Sequence, residues 1–346
     1  MDTYRAVWTR EDRSRPSTNS QTMALPDIAA LAPFFFKERF ARHYSNIRDL
    51  FQACTKPGLL AVAIDHAGFA GASFLEACPD RITTSVIGRH AKADLFLDDD
   101  PALSLRHLMV VIHPHRRPDD LRFRLIDLRT SVAFSDEQGR RLEALEAESP
   151  VFVSCGRYGI YFFPTDGSPW PEDAEDGWAC IPERVFLDDL AAGRRGQRPQ
   201  APPRRNPAHT MWRAGGLRPS IALPGPAFAH HRMVDEDEDP LGELRIECER
   251  GKAAILLGSK AARRGMLLGR YPRCDNSSLH VLSSDHVSRV HLLVIELCGT
   301  LYAIDAASSF GVLHNGAPAR TVPLRYGTEL ALSNAAVARV RWCPVN

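Results

Sequence analysis

The sequence predicts a mainly β chain: two β-sandwiches joined by a long Pro/Arg-rich linker and preceded by an amphipathic helix. Three observations lead there. Short apolar runs, each bounded by turn residues, fall in two blocks at 58–165 and 241–346. Many short strands with turns between them indicate a sandwich or barrel. The stretch between the blocks, 166–240, changes to Pro, Arg and acidic residues. Both blocks also carry one pattern, Gly-Arg, a loop, Ser-x-x-His, a hairpin, then Asp with small hydroxyl residues.

The composition sets the frame. A chain of 346 residues suits two or three domains. It is 44% hydrophobic and 25% charged, ordinary for a globular protein. With 43 basic and 42 acidic residues, neither a membrane nor a nucleic acid is an expected partner of the chain as a whole. The 8 cysteines are scattered without zinc-ligand spacing and read as small core residues of a reducing compartment. The polar start is no signal peptide, and no apolar run approaches the roughly 18 residues of a membrane span. A cytoplasmic location follows as the expectation.

Taken in order, residues 1–25 are polar and aperiodic and are expected to be disordered. In the helical segment 26–57, Phe36, Phe40, Tyr44, Ile47 and Phe51 recur every three or four residues among charged ones. That is an amphipathic helix, with Pro33 in its first turn and Pro57-Gly58 past its end. It either docks on the following domain or binds a partner. Leu59–Ile64, Leu108–Ile112, Val151–Val153 and Ile160–Phe163 read as strands, and Leu121-Arg122-Phe123-Arg124-Leu125 alternates apolar and Arg faces. Arg140–Glu148, rich in Leu, Glu and Ala, reads as helical. Residues 166–240 read as a largely flexible linker, with a basic stretch (Arg194, Arg195, Arg198, Arg204, Arg205), an acidic one (Asp235–Asp239) and a short ordered segment at Ile181–Leu190 without an assigned place. In the last block, Leu244–Cys248 alternates, Met266–Leu268 leads into Gly269-Arg270, and Leu292–Ile295 with Leu301–Ile304 form a hairpin.

The recurring pattern carries the chemistry. The C-terminal copy runs Gly269-Arg270, then Val287-Ser288-Arg289-Val290-His291, then Asp305 and Ser308; the first runs Gly88-Arg89, then Ser104-Leu105-Arg106-His107, then Asp127. The copies differ in length only in loops, where insertions are tolerated. Arg and Ser converging from neighbouring loops make an anion site, because a guanidinium is planar and permanently charged and a hydroxyl adds a neutral donor.

The segment Met266–Leu332 resembles a forkhead-associated (FHA) domain, matching at Gly269-Arg270, Asp285, Val287-Ser288-Arg289-x-His291, Asp305, Ser308, Gly311, Asn315-Gly316, Leu324, Gly327 and Leu330. The resemblance implies a β-sandwich whose loops at one end bind phosphothreonine peptides, a binding module and not an enzyme. It implies that Arg270 and Ser288 hold the phosphate, that Ser309 and Arg289 face the peptide, and that Gly269 and His291 support the loops. A phosphothreonine suits such a pair, carrying close to two negative charges and three strong acceptors. One departure is plain. The family has an Asn that grips the peptide backbone where this chain has Phe310, in Ser308-Ser309-Phe310-Gly311.

The first copy is a divergent FHA-like sandwich. Arg89 and Ser104 form a second candidate phosphate pair, supported by Gly88 and His107, while Val132 stands at the Asn position. A degenerate, purely structural fold is the alternative. His113-Pro114-His115 reads as a polar loop and not a metal site, Asp98-Asp99-Asp100 reads as a solvated turn, and no cofactor is expected. The expected role is a phosphothreonine-binding adaptor in Ser/Thr kinase signalling, with threonine-phosphorylated proteins and a Ser/Thr kinase as partners. Thr18 and Thr22 are candidate phosphosites of the tail. The competing reading is a phosphate-independent scaffold.

Overall fold

The structure is a computed structural model that describes residues 7–9, 36–115, 117, 120–167, 169–182, 184–186, 220–223, 232–235, 238–276, 281–333 and 338–345. Thr18, Thr22, Pro33 and the five linker arginines lie outside the described residues. The chain divides into two compact units, Met1–Leu223 and Pro224–Asn346. Among the described residues, no helix is long and apolar enough to cross a membrane.

The first unit runs β1 (Val7–Thr9), α1 (Phe36–Arg42), α2 (Tyr44–Ala53), β2 (Gly58–Asp65), β3 (Gly68–Glu76), β4 (Thr83–Gly88), β5 (Leu95–Phe96), β6 (Leu108–Ile112), β7 (Phe123–Asp127), β8 (Ala144–Ala147), β9 (Val151–Cys155), β10 (Tyr158–Thr165), α3 (Ala174–Ala179), β11 (Arg184–Phe186) and β12 (Ser220–Leu223). A five-stranded sheet, ordered β1-β3-β2-β10-β9, packs on a seven-stranded one, ordered β11-β12-β8-β7-β6-β4-β5. The core between them takes Leu59, Ala61, Ile160 and Phe162 from the first sheet and Val110, Leu125 and Leu145 from the second.

Why β2 is a continuous apolar run is visible here. Its odd-numbered residues fill the sandwich, while Leu60, Val62 and Ile64 face a second core with Phe36, Phe40, Tyr44, Ile47 and Phe51. A strand buried on both faces has no polar alternate positions. The helical stripe is thus docked on its own unit; it breaks at His43 into two helices. The Tyr161 hydroxyl donates to Phe36 O at 2.8 Å and ties α1 to β10. Burial of each large apolar side chain contributes about 1.5–3 kcal/mol before ordering costs.

Several expectations change. Arg140–Glu148 is no helix: Ala144–Ala147 is β8, paired with β7 and β12. Its residues are all buried, and Glu146 pairs with Arg124 at 3.2 Å, so a strand slot overrides helix propensity. On the Arg face of Leu121–Leu125, Arg124 is buried in that pair while Arg122 is half-exposed. Asp100 is also buried, its carboxylate accepting from Ala102 N and Arg157 N. The linker 166–240 is partly built into the units. It supplies α3, β11 and β12 to the first and β13 (Arg232–Met233) to the second, because their open strand edges still have backbone partners to offer. In the tail 1–25, Val7–Thr9 pairs with β3 for the same reason.

The second unit continues with β14 (Pro240–Cys248), β15 (Gly251–Gly258), α4 (Ser259–Arg264), β16 (Met266–Leu268), β17 (Leu292–Leu297), β18 (Thr300–Asp305), β19 (Val312–His314), β20 (Ala317–Pro318), β21 (Thr321–Pro323), β22 (Glu329–Leu332) and β23 (Ala338–Pro344). A seven-stranded sheet, β13-β15-β14-β23-β22-β19-β20, faces a four-stranded one, β16-β17-β18-β21. Leu244, Ile246, Ile255 and Trp342 meet Met266, Leu268, Leu292 and Val294 in the core. The β17–β18 hairpin turns on Cys298-Gly299, φ 53° and 78°, which is the left-handed pair a two-residue hairpin loop requires. The chain is therefore mainly β, with two-layered packing in each unit.

Candidate anion site on the loops of the second sandwich

Three loops of the second unit leave β16, lead into β17 and join β18 to β19. Their backbones are laced together. Arg270 N donates to Ser288 O at 3.1 Å, Tyr271 N to Arg289 O at 3.0 Å, and His291 N to Leu268 O at 2.8 Å. Gly269 is required by this closeness: a Cβ there would lie 2.1 Å from Arg289 O. Asn276, a residue the sequence reading overlooked, grips Gly269 from the other side, accepting from its N–H and donating to its C=O at 2.9 Å each.

His291 is the fully buried hub. Its Nδ1 accepts from Ser288 N at 3.0 Å, so Nε2 carries the proton and donates to Gly311 O at 2.9 Å. Asp305 accepts from Ser308 N at 2.9 Å, and the Ser308 hydroxyl oxygen accepts from Gly311 N at 2.9 Å. The third loop is thereby pinned at both ends.

On this frame sit the predicted site residues. Ser288 Oγ accepts from Ser309 N at 2.8 Å, which leaves its own proton to donate elsewhere. The Arg270 guanidinium is 41% exposed and pairs with Asp285, itself 97% exposed, at 3.3 Å. Ser309 and Arg289 are exposed on the neighbouring loops. A backbone bond joins the Arg270 and Ser288 loops, and Ser309 N–H donates to the Ser288 hydroxyl; Arg289 contributes its carbonyl to the lacing. Phe310 is exposed, and its ring meets His286 edge-on at 5.4 Å. An anion reaching this end would find a permanent cation, a hydroxyl donor and an aromatic surface.

The first unit repeats the lacing. Arg89 N donates to Ser104 O at 3.1 Å, His90 N to Leu105 O at 3.0 Å, Ser104 N to His107 Nδ1 at 3.0 Å and His107 N to Ile87 O at 2.9 Å. A Cβ on Gly88 would lie 2.5 Å from Leu105 O. Arg129 and Ala307, both at φ 54°, mark the same turn after Asp127 and Asp305. Burial pushes the His107 imidazole down to about 4, the Val132 backbone and Asp100 acting weakly against it. The arginines diverge. Arg89 is half-buried and its Nε donates to Leu103 O at 2.9 Å, so part of its donor fork serves the loop itself.

No family model and no curated protein sequence matches the chain. Among solved structures it is similar to FHA domains. The FHA-1 domain of Mycobacterium tuberculosis Rv1747 is 21% identical, covering 31% of this chain and 100% of that one at a TM-score of 0.26. The FHA domain of CT664 from Chlamydia trachomatis is 18% identical, covering 30% and 97% at 0.25. The N-terminal FHA domain of S. cerevisiae Rad53p, solved with a phosphothreonine peptide, is 19% identical, covering 30% and 93% at 0.25. Over about a third of its length, then, the chain is similar to FHA domains.

Proposed function

We propose that the second sandwich binds phosphothreonine in partner proteins, with Arg270 and Ser288 holding the phosphate, and that the chain acts as an adaptor and not an enzyme. One observation carries this. The half-exposed Arg270 guanidinium, paired with a fully exposed Asp285 carboxylate, stands on a loop bonded to that of Ser288, whose hydroxyl proton is uncommitted. A phosphate replaces Asp285 at higher charge and adds acceptors for Ser288. Kinase signalling follows as the setting, since a Ser/Thr kinase must supply the ligand. Phe310 in place of a backbone-gripping Asn favours a second reading, a scaffold that binds without phosphate.

Fluorescence anisotropy of matched phosphorylated and unphosphorylated threonine peptides separates the two. Wild type is expected to require the phosphate. Arg270→Ala is expected to lose about 1.5–3 kcal/mol, tenfold or more in affinity, with Ser288→Ala weakened less. Equal binding of unphosphorylated peptide, or an unaffected Arg270→Ala, leaves the scaffold reading standing.

A further inference from the structure

We infer that Phe310 and His286 form a subsite that selects a large apolar side chain next to the phosphothreonine, an inference that rests on the phosphopeptide reading of Arg270 and Ser288. Phe310 is an exposed aromatic, 40% accessible, on the loop that also carries Ser309. It is not a loose side chain. The residue before it donates through Ser309 N to Ser288 Oγ, and the residue after it is held through both Gly311 N and Gly311 O. Its Cα is therefore fixed to the same hydrogen-bonded frame as the anion site. Gly311, at φ 75°, turns the chain so that the loop can close there.

The ring itself rests on His286, with centroids 5.4 Å apart and planes at 63°, the edge-to-face geometry aromatic rings prefer. His286 belongs to the loop of Asp285 and Ser288, so the pair bridges two of the three loops. Asp285, next in sequence to His286, is the carboxylate that faces Arg270. The aromatic pair and the guanidinium thus flank one short piece of loop. Phe310 follows Ser309, whose N–H bonds Ser288 Oγ, and on this inference a residue beside the phosphothreonine lies across its ring.

What that neighbour should be follows from the surface offered. An aliphatic or aromatic side chain removes its own and the Phe310 surface from water, and a rigid ring costs little ordering entropy. An acidic side chain gains nothing from the ring and meets Asp285, freed from Arg270 by the phosphate. An asparagine at this position offers hydrogen bonds to any peptide backbone, indifferent to side chain; a phenylalanine offers area, which only an apolar side chain exploits.

The test uses the full chain and phosphothreonine peptide libraries in which one flanking position at a time is fixed. Wild type is expected to favour Leu, Ile, Met or Phe over Gly or Asp at one position adjacent to the phosphothreonine, by about three- to tenfold. Phe310→Ala and Phe310→Asn are expected to flatten that preference while binding still requires the phosphate, and His286→Ala to weaken it. A preference that survives Phe310→Ala, or phosphate-dependent binding by wild type with no adjacent preference, overturns the subsite alone. Binding that ignores the phosphate in every protein overturns the phosphopeptide reading and the subsite with it. Unchanged thermal midpoints by circular dichroism exclude misfolding as the cause of a flattened profile.

Discussion

On the proposed phosphothreonine reading, Asp285 is the residue a ligand of the second sandwich must displace. Its carboxylate is 97% exposed and holds Arg270 at 3.3 Å, the arrangement of an exposed ion pair, worth about 0.2–1 kcal/mol. A phosphate must displace it and then tolerate it as a neighbouring negative charge. Asp285→Asn is therefore expected to tighten phosphopeptide binding by about two- to fivefold at low salt, with the gain shrinking as salt screens both charges. Isothermal titration at two ionic strengths checks this; weaker binding by Asp285→Asn means that the carboxylate orients the guanidinium instead of competing for it. The contrast with Arg89 is chemical. Both arginines follow a glycine and share the backbone lacing, yet Arg89 gives its Nε to Leu103 O.

Among elements, β8 shows how a strand can be written in helix-forming residues. Ala144-Leu145-Glu146-Ala147 lies between β7 and β12, and Glu146 finds its cation, Arg124, opposite it on β7. The end of β6 belongs to the same charged cluster. His113 extends the β6–β7 ladder through its N–H to Arg122 O at 2.9 Å, and burial, with Arg124 and Arg122 adding, pushes its imidazole down to about 3. Below about pH 6.5 the unfolded chain protonates this histidine and the folded chain does not, so stability falls as pH drops from about 6.5 towards 3. His107, lowered to about 4, acts in the same direction. Asp127, raised by burial to about 6, acts oppositely, stabilising the fold as pH falls from about 6 to 3.8. Two histidines against one carboxyl leave a net loss on acidification. The unfolding free energy from urea titration is expected to be lower at pH 4.5 than at pH 7, and His113→Gln to reduce that difference by ~2 kcal/mol. An unchanged difference in His113→Gln places the acid sensitivity elsewhere.

At the scale of the whole molecule, the chain carries one loop architecture twice, on two units with separate cores. Two working readers in one chain would give avidity for doubly phosphorylated targets. If the second unit is a reader as proposed, the Nε of Arg89, committed to Leu103 O, argues against a second reader in the first unit. Arg89→Ala in the full chain is expected to change phosphopeptide affinity by less than about twofold, and a doubly phosphorylated peptide to bind no more tightly than its best single half. Anisotropy with singly and doubly phosphorylated peptides measures both; a tenfold gain from the second phosphate that Arg89→Ala abolishes would make the first unit a reader too.

The strands with a clear two-residue period or an unbroken apolar run were legible in the chain, as were the helical stripe from Phe36 to Phe51 and the Gly-Arg to Ser-x-x-His pattern. Each depends on local spacing, which sequence displays directly. β3, β4 and β15 were missed because Gly, Ala, Ser and Thr in Gly68–Glu76, Thr83–Gly88 and Gly251–Gly258 blur that period. β8 and β12 were misread, and the ordered segment around β11 could not be placed, because their strand character comes from partners far along the chain. The same division holds at the site. The types and spacing of Arg270, Ser288 and His291 are enough to propose an anion site, since charge and donor chemistry belong to residues. Which arginine bonds its own loop and which reaches an exposed carboxylate, and that Phe310 rests on His286, depends on loops folded against one another, because only packing sets the distance between residues remote in sequence.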